Sequence, residues 1–289
     1  MSEYVIITDS TSDLPQEYAA KLDLAIIPYV FQMEGREYFN YLDHREFPAT
    51  DFYSALKEGK TASTSLVTEE RYTQFFEPYL QQGKDILYMC LSTGLSGSYH
   101  QCKLAADALA EKYPGRKLEM IDSLCASMGQ GLLAYYACKA RDEGQSVTEA
   151  AQYIRDLIPH ICHLVCVDDL NHLRRGGRVT GAAAFVGTML SIKPILHVDD
   201  EGRLIPFAKV RGSNGALEYI VERMQKVTDG SSQIVFISHG DAPERAQKLA
   251  DLIKSNLGLN SFVLSHIGPV VGAHAGPGTL ALFFKGSKR

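Results

Sequence analysis

Three strand patterns in the first half of the chain, at 4–7, 86–91 and 117–121, obey one grammar. The first two are short and apolar enough for buried strands, and each of the three passes through a polar loop into a helical pattern. Strands and helices alternating in this way predict a mostly parallel sheet with helices on both faces. The loops at 8–13, 92–98 and 122–123 then fall together at strand C-termini, where open α/β sheets hold their ligands.

The most informative of these loops is Leu91-Ser92-Thr93-Gly94-Leu95-Ser96-Gly97-Ser98-Tyr99-His100. A helix beginning there points unpaired backbone N–H groups back into the loop, a natural place for an anion. Ser92, Thr93, Ser96 and Ser98 add hydroxyl donors, while the loop holds neither Lys nor Arg. Such a loop suits one carboxylate better than a polyphosphate. The plainer alternative is a polar αβ turn with a serine N-cap.

Between these landmarks the chain reads in order. Ser12 or Asp13 caps a first helix that has Pro15 in its first turn, and a second strand covers 25–31. Residues 34–51 are polar and aromatic without a period and read as an excursion. Asp51 caps a short helix to 58, and 61–65 is a second hydroxyl-rich loop. Thr68 opens a helix carrying Tyr72, Phe75, Phe76 and Tyr79 on one face. A helix rich in small residues spans about 125–142, and Ser146-Val147-Thr148-Glu149 is a capping box for the next.

After Pro159 the pattern changes. A strand at 161–167 and a short helix at 169–175 lead to Gly176-Gly177-Arg178, and strands at 192–198 and 204–210 flank a hairpin turn, Asp199-Asp200-Glu201-Gly202. Helices at 214–227 and 243–256 flank a strand at 234–238. Strands near 261–266 and 279–284 bracket a glycine- and proline-rich loop, 268–278, that presents His274. These patterns divide the chain into an N-terminal α/β domain, 1–158, and a C-terminal α+β domain, 159–289, with a mixed or antiparallel sheet.

Several function classes drop out. A net charge of −5 gives no electrostatic case for nucleic acid or anionic membranes. The longest weakly polar run, 181–192, is too short for a bilayer. No Walker-type or dinucleotide glycine motif supports nucleotide binding. The six cysteines lie in apolar patterns and read as reduced core residues, which with the lack of a leader pattern points to the cytoplasm. Cys162 and Cys166 sit too far apart on one strand face to share a metal ion. Gly94-Leu95-Ser96-Gly97-Ser98 approaches a nucleophile elbow but lacks the final glycine. A serine hydrolase using Ser96, Asp122 or Asp168, and His274 is the alternative kept in view.

Taken together, the loops resemble the DegV family of bacterial fatty-acid-binding proteins. The matching segments are 7–15, Thr64-Ser65, 91–99, Ile121-Asp122-Ser123, 173–178, 192–196 and 268–278, in the family's order. One segment departs: the family often reads Thr-Ser-Gln-Pro-Ser where this chain has Thr64-Ser65-Leu66-Val67-Thr68. Aligning by Tyr72 selects Thr64, with Thr61 or Ser63 as the other candidates.

The resemblance implies a two-domain fold holding one long-chain, palmitate-like fatty acid in a tunnel, its carboxylate near the domain interface. It assigns the carboxylate to Thr64, Ser96 and His274, with Ser65, Gly97 and Ser98 in secondary roles. It implies no metal, no cofactor and no complete active site in the chain itself. It further implies that the acid is presented to a separate ATP-binding kinase subunit that makes an acyl phosphate, with Arg178 assisting phosphoryl transfer or docking. The chemistry is consistent: a buried carboxylate needs strong donors, and hydroxyls with one imidazole supply them.

Overall fold

The computed structural model describes residues 3–181, 191–228 and 232–289. Most of the weakly polar run 181–192 lies outside them. In the first half, β1 (Tyr4–Asp9), α1 (Gln16–Lys21), β2 (Ala25–Ile27), β3 (Tyr29–Met33), β4 (Arg36–Asn40), α2 (Ala49–Lys57), β5 (Ala62–Ser65) and α3 (Glu69–Gln81) follow in order. Then come β6 (Asp85–Cys90), α4 (Ser98–Lys112), β7 (Leu118–Asp122), α5 (Met128–Asp142) and α6 (Val147–Leu157). The second half supplies β8 (Ile161–Cys166), α7 (Leu170–Gly176), β9 (Ile192–Val198), β10 (Leu204–Arg211) and α8 (Ser213–Val227). It ends with β11 (Ile234–His239), α9 (Pro243–Leu257), β12 (Ser261–His266), α10 (Pro269–Ala275) and β13 (Leu280–Lys285).

The expected alternation produces a parallel sheet ordered β2-β1-β6-β7. β1, β2 and β6 are largely apolar because both faces are covered, whereas the edge strand β7 carries Glu119, which pairs with Arg155. Ile7, Ile86, Tyr88 and Met120 face the side covered by α3 and α4. Ile6, Leu87, Met89 and Ile121 face the side covered by α5 and α6. A six-stranded mixed sheet ordered β10-β9-β8-β13-β11-β12 forms the other half.

Helix α5 belongs to both. Its buried residues pack against Ile6, Leu87 and Ile121 of the parallel sheet and against Phe236, Ala281 and Phe283 of the mixed one. A helix pressed between two sheets must be apolar and slim on several faces, which explains its small residues. The Ser146–Glu149 capping box of α6 forms in both directions, and Thr68 caps α3. All six cysteines are buried and unpaired by disulfides.

Elsewhere the structure corrects the reading. The strand expected at 25–31 breaks at Pro28: β2 joins the parallel sheet, while β3 turns into a three-stranded antiparallel sheet ordered β4-β3-β5. The excursion at 34–51 therefore contains a hairpin strand, and the hydroxyl-rich stretch at 61–65 is strand, not loop. The loop expected at 268–278 folds into α10, with Pro269 in its first turn. Neither Ser12 nor Asp13 caps α1, whose N-cap is Pro15, and Asp51 sits inside the first turn of α2 after Pro48. Gly97, rather than a serine, is the N-cap of α4.

Candidate ligand-binding site

The strand C-termini of the parallel sheet face α10 and one surface of the mixed sheet across a cavity of about 290 Å³. Thr64 at the end of β5, Ser96 before α4 and His274 in the last turn of α10 all line it. Three segments far apart in sequence thus place two hydroxyls and an imidazole together. Thr61 and Ser63 border an adjoining surface groove rather than this cavity.

The hydrogen bonds orient these groups. Thr64 Oγ1 lies 2.9 Å from His274 Nε2. Burial, with the Arg178 guanidinium nearby, pulls the His274 pKa down to about 4, so the ring is neutral at neutral pH. With its proton on Nε2, the ring donates to Thr64 and leaves the threonine proton free for the cavity. The other ring nitrogen, Nδ1, is buried and has no hydrogen-bond partner. It packs on Gly176, where any Cβ would stand 2.2 Å from it. That close approach is a physical reason for a glycine at this place in Gly176-Gly177-Arg178.

Ser96 is arranged similarly. Its Oγ accepts the Ser98 N–H at 3.2 Å and lies 3.0 Å from the Ser98 Oγ. Ser98 Oγ in turn accepts the Val67 N–H at 3.2 Å. With Ser98 donating to Ser96, the proton of Ser96 is left for the cavity. Gly97 and Ser65 line the cavity, whereas Ser98 is buried behind Ser96 and supports it. Arg178 is exposed at the mouth, its Nε donating to the Leu95 carbonyl at 3.2 Å.

The support beneath the site was not legible in the sequence. Asp13, fully buried, accepts the Ser127 hydroxyl at 2.6 Å and the Gly268 N–H at 2.8 Å. Gly268 is the N-cap of α10, so Asp13 fixes the helix that carries His274. Ser127 Oγ also lies 2.9 Å from Ser238 Oγ of β11. Ser127 holds φ 52° and ψ −142°, a conformation unfavourable for a side chain and maintained by these contacts. Asp9 accepts from Tyr88 Oη, Leu91 N–H and Gln130 Nε2, anchoring the first residue of the Ser96 loop. Burial raises the pKa of both carboxyls. The only sequence signal was the cluster of polar residues at 8–13 after a buried strand.

The hydrolase arrangement is not assembled. Asp122 accepts from Thr93 and from the Leu124 N–H, and Asp168 pairs with Lys193 and Arg245. His274 therefore has no carboxylate on Nδ1, and Ser96 does not adopt the left-handed backbone of a strained elbow.

Apolar side chains line the same cavity: Leu66, Leu95, Leu173, Val270 and Val271 on the segments that carry or adjoin these polar groups, and Ala281 and Phe283 on β13. The sequence profile described as "Uncharacterised protein, DegV family" matches residues 3–286. The chain belongs to the DegV family. DegV domain-containing proteins of Clostridium perfringens and Lactococcus lactis are 38% and 34% identical to it, over 100% and 97% of this chain and 99% and 96% of theirs.

Among solved DegV structures, a Thermus thermophilus protein described by its fatty-acid binding superposes with a TM-score of 0.89 at 28% identity, covering 98% of this chain and 99% of its own. A Thermotoga maritima DegV lipid-binding protein gives 0.88 at 27%, covering 99% of each chain. The Bacillus subtilis DegV, described as a fatty acid binding protein, gives 0.85 at 26%, covering 99% of this chain and 100% of its own. Among the described residues of this DegV chain, no helix is long and apolar enough to cross a membrane.

Proposed function

We infer that this protein binds one long-chain, palmitate-like fatty acid, with the carboxylate held by Thr64, Ser96 and His274 and the alkyl chain in the apolar part of the cavity. The observation that carries this reading is the mixed lining of one cavity, in which Thr64, Ser96 and His274 share the wall with many apolar side chains, among them Leu173, Val270, Ala281 and Phe283. A carboxylate there meets two free hydroxyl protons, and each buried methylene contributes about 0.8 kcal/mol. The fatty-acid binding described for DegV neighbours supports the same ligand class.

The protein carries the acid rather than converting it, and it presents the carboxylate, in the cytoplasm, to a separate ATP-binding kinase subunit for acyl-phosphate formation. Arg178, exposed beside His274, assists phosphoryl transfer or docking in this reading. The adjoining groove, bordered by Lys60, Arg175 and Arg178, supports it by offering positive charge next to the carboxylate end. Mass spectrometry of ligand extracted from purified protein is expected to find a long-chain acid. Finding none, with none taken up when offered, contradicts the reading. A fluorophosphonate is expected to leave Ser96 unlabelled, and covalent labelling there would restore the hydrolase alternative.

A further inference from the structure

The mixed sheet forms one wall of the cavity, and its strand registers order the wall from one end to the other. Thr279, Ala281 and Phe283, every second residue, share one face of the sheet and line the cavity. Thr279 stands at the polar end, its hydroxyl bonded to the Ala275 carbonyl of α10 at 2.8 Å. Four residues on, roughly 13 Å farther along the strand, comes Phe283.

There the lining becomes a continuous row across four strands. Phe283 of β13 pairs with His163 of β8, and Leu204 of β10 pairs with Val198 of β9. The β8–β9 register, in which Leu164 opposes His197, brings Val198 beside His163. All four side chains line the cavity, so they stand across it like a fence. His163 and Val198 also border a second void of only about 20 Å³, shared with Cys162, Leu164 and Phe284 of the opposite sheet face.

The fence is rigid. His163 is buried, with Nδ1 3.1 Å from the Ile161 carbonyl and Nε2 accepting the Ala126 N–H at 3.3 Å. Its ring meets Phe283 edge-on at 5.2 Å. Behind it is Gly129 of α5, where a Cβ would lie 2.1 Å from Nε2. Both ring nitrogens are committed and the ring has no room to rotate, so the imidazole acts as a fixed piece of wall.

We propose that the row Leu204–Val198–His163–Phe283 is the terminus of the acyl channel and sets the longest fatty acid this protein accepts. The proposal rests on the fatty-acid reading above and adds a specificity determinant to it. Affinity then climbs about fourfold per methylene until the chain end meets the row, and falls for longer acids that have to push it aside.

The test is a binding series of straight-chain saturated acids of increasing length on the full chain. Val198→Ala and Phe283→Leu lower the fence without touching the His163 hydrogen bonds, and Ala281→Val fills the channel one rung before it. The longest well-bound acid should lengthen in the first two variants and shorten in the third, each by one or more methylenes. The Val198→Ala and Ala281→Val changes are small enough to decide the matter if Phe283→Leu fails to fold. An unchanged length limit in both of these, with acids still bound, overturns the fence alone. Wild-type protein that binds no acid of any length overturns the fatty-acid reading and the fence with it.

Discussion

The two ends of the cavity are built by different means. The polar end is assembled from short pieces of β5, the loop before α4, and α10, each held from beneath by buried hydrogen bonds. The apolar end is the surface of one sheet, its lining residues fixed by strand registers. The polar end therefore depends on a few buried contacts far from the ligand, and the apolar end on volume and shape. Disturbing one should change whether the acid is held, and disturbing the other should change which acid.

The largest expected effect falls on the clasp beneath the polar end. Asp13→Ala leaves the Ser127 hydroxyl and the Gly268 N–H without their acceptor. It should cost about 2–5 kcal/mol in denaturant unfolding. It should also weaken acid binding, because α10 loses its anchor. Asp13→Asn, which keeps an acceptor for Gly268, should retain most of both. If Asp13→Ala unfolds at the wild-type denaturant concentration, the clasp does not support the site.

Next come the donors themselves. Ser96→Ala removes one donor to the carboxylate, and His274→Ala removes the imidazole that orients the Thr64 hydroxyl; each should lower affinity about 10- to 100-fold, with unfolding midpoints near that of the wild type. Affinity unchanged in both removes the proposed clamp.

The titrations of the two buried networks have opposite signs. Burial lowers the pKa of His274 to about 4 and of His163 to about 3. Unfolded histidine binds its proton near pH 6.5, so the unfolded state is favoured as pH falls from there toward 4, and stability declines. Asp9 and Asp13 are raised above the ordinary carboxyl value by burial. Their contribution is full at low pH and is lost as pH rises through the folded-state value. Urea unfolding across pH should show the decline with falling pH reduced in His274→Asn and the decline with rising pH, which begins at the unfolded carboxyl value, reduced in Asp13→Asn. Curves that superpose on the wild type would refute the assignments.

The smallest effect is expected at the mouth. Arg178→Ala should change acid affinity by no more than about twofold, since the side chain is exposed and hydrogen-bonds backbone carbonyls. The same variant should lose acyl-phosphate formation with a kinase partner, so equilibrium binding and turnover separate its two roles.

How far the sequence foretold this molecule depends on whether the signal was local. The strand signals of β1, β6 and β7, the capping box of α6 and the hairpin at 199–202 depend on neighbours within a few residues, and they form as read. β5 does not: Ala62-Ser63-Thr64-Ser65 has no apolar alternation, and only its pairing with β3 makes it a strand. α10 hid among glycines, although Pro269 in its first turn was a readable start signal. Loop chemistry points to Ser96 and His274, and Thr64 joins them through the family resemblance. Asp13 as the anchor of α10, and His163 as a wall, depend on contacts across more than a hundred and across 37 residues. No local pattern carries that information.

The account stands most directly on the contact between a fatty-acid carboxylate and the polar end. Palmitate labelled with carbon-13 at the carboxyl, bound to the purified protein and observed by NMR, reports that contact. A single bound carboxyl resonance is expected, displaced from free palmitate, moved by Thr64→Ala, Ser96→Ala and His274→Ala and unmoved by Val198→Ala. A bound resonance indifferent to all three changes at the polar end would contradict the account.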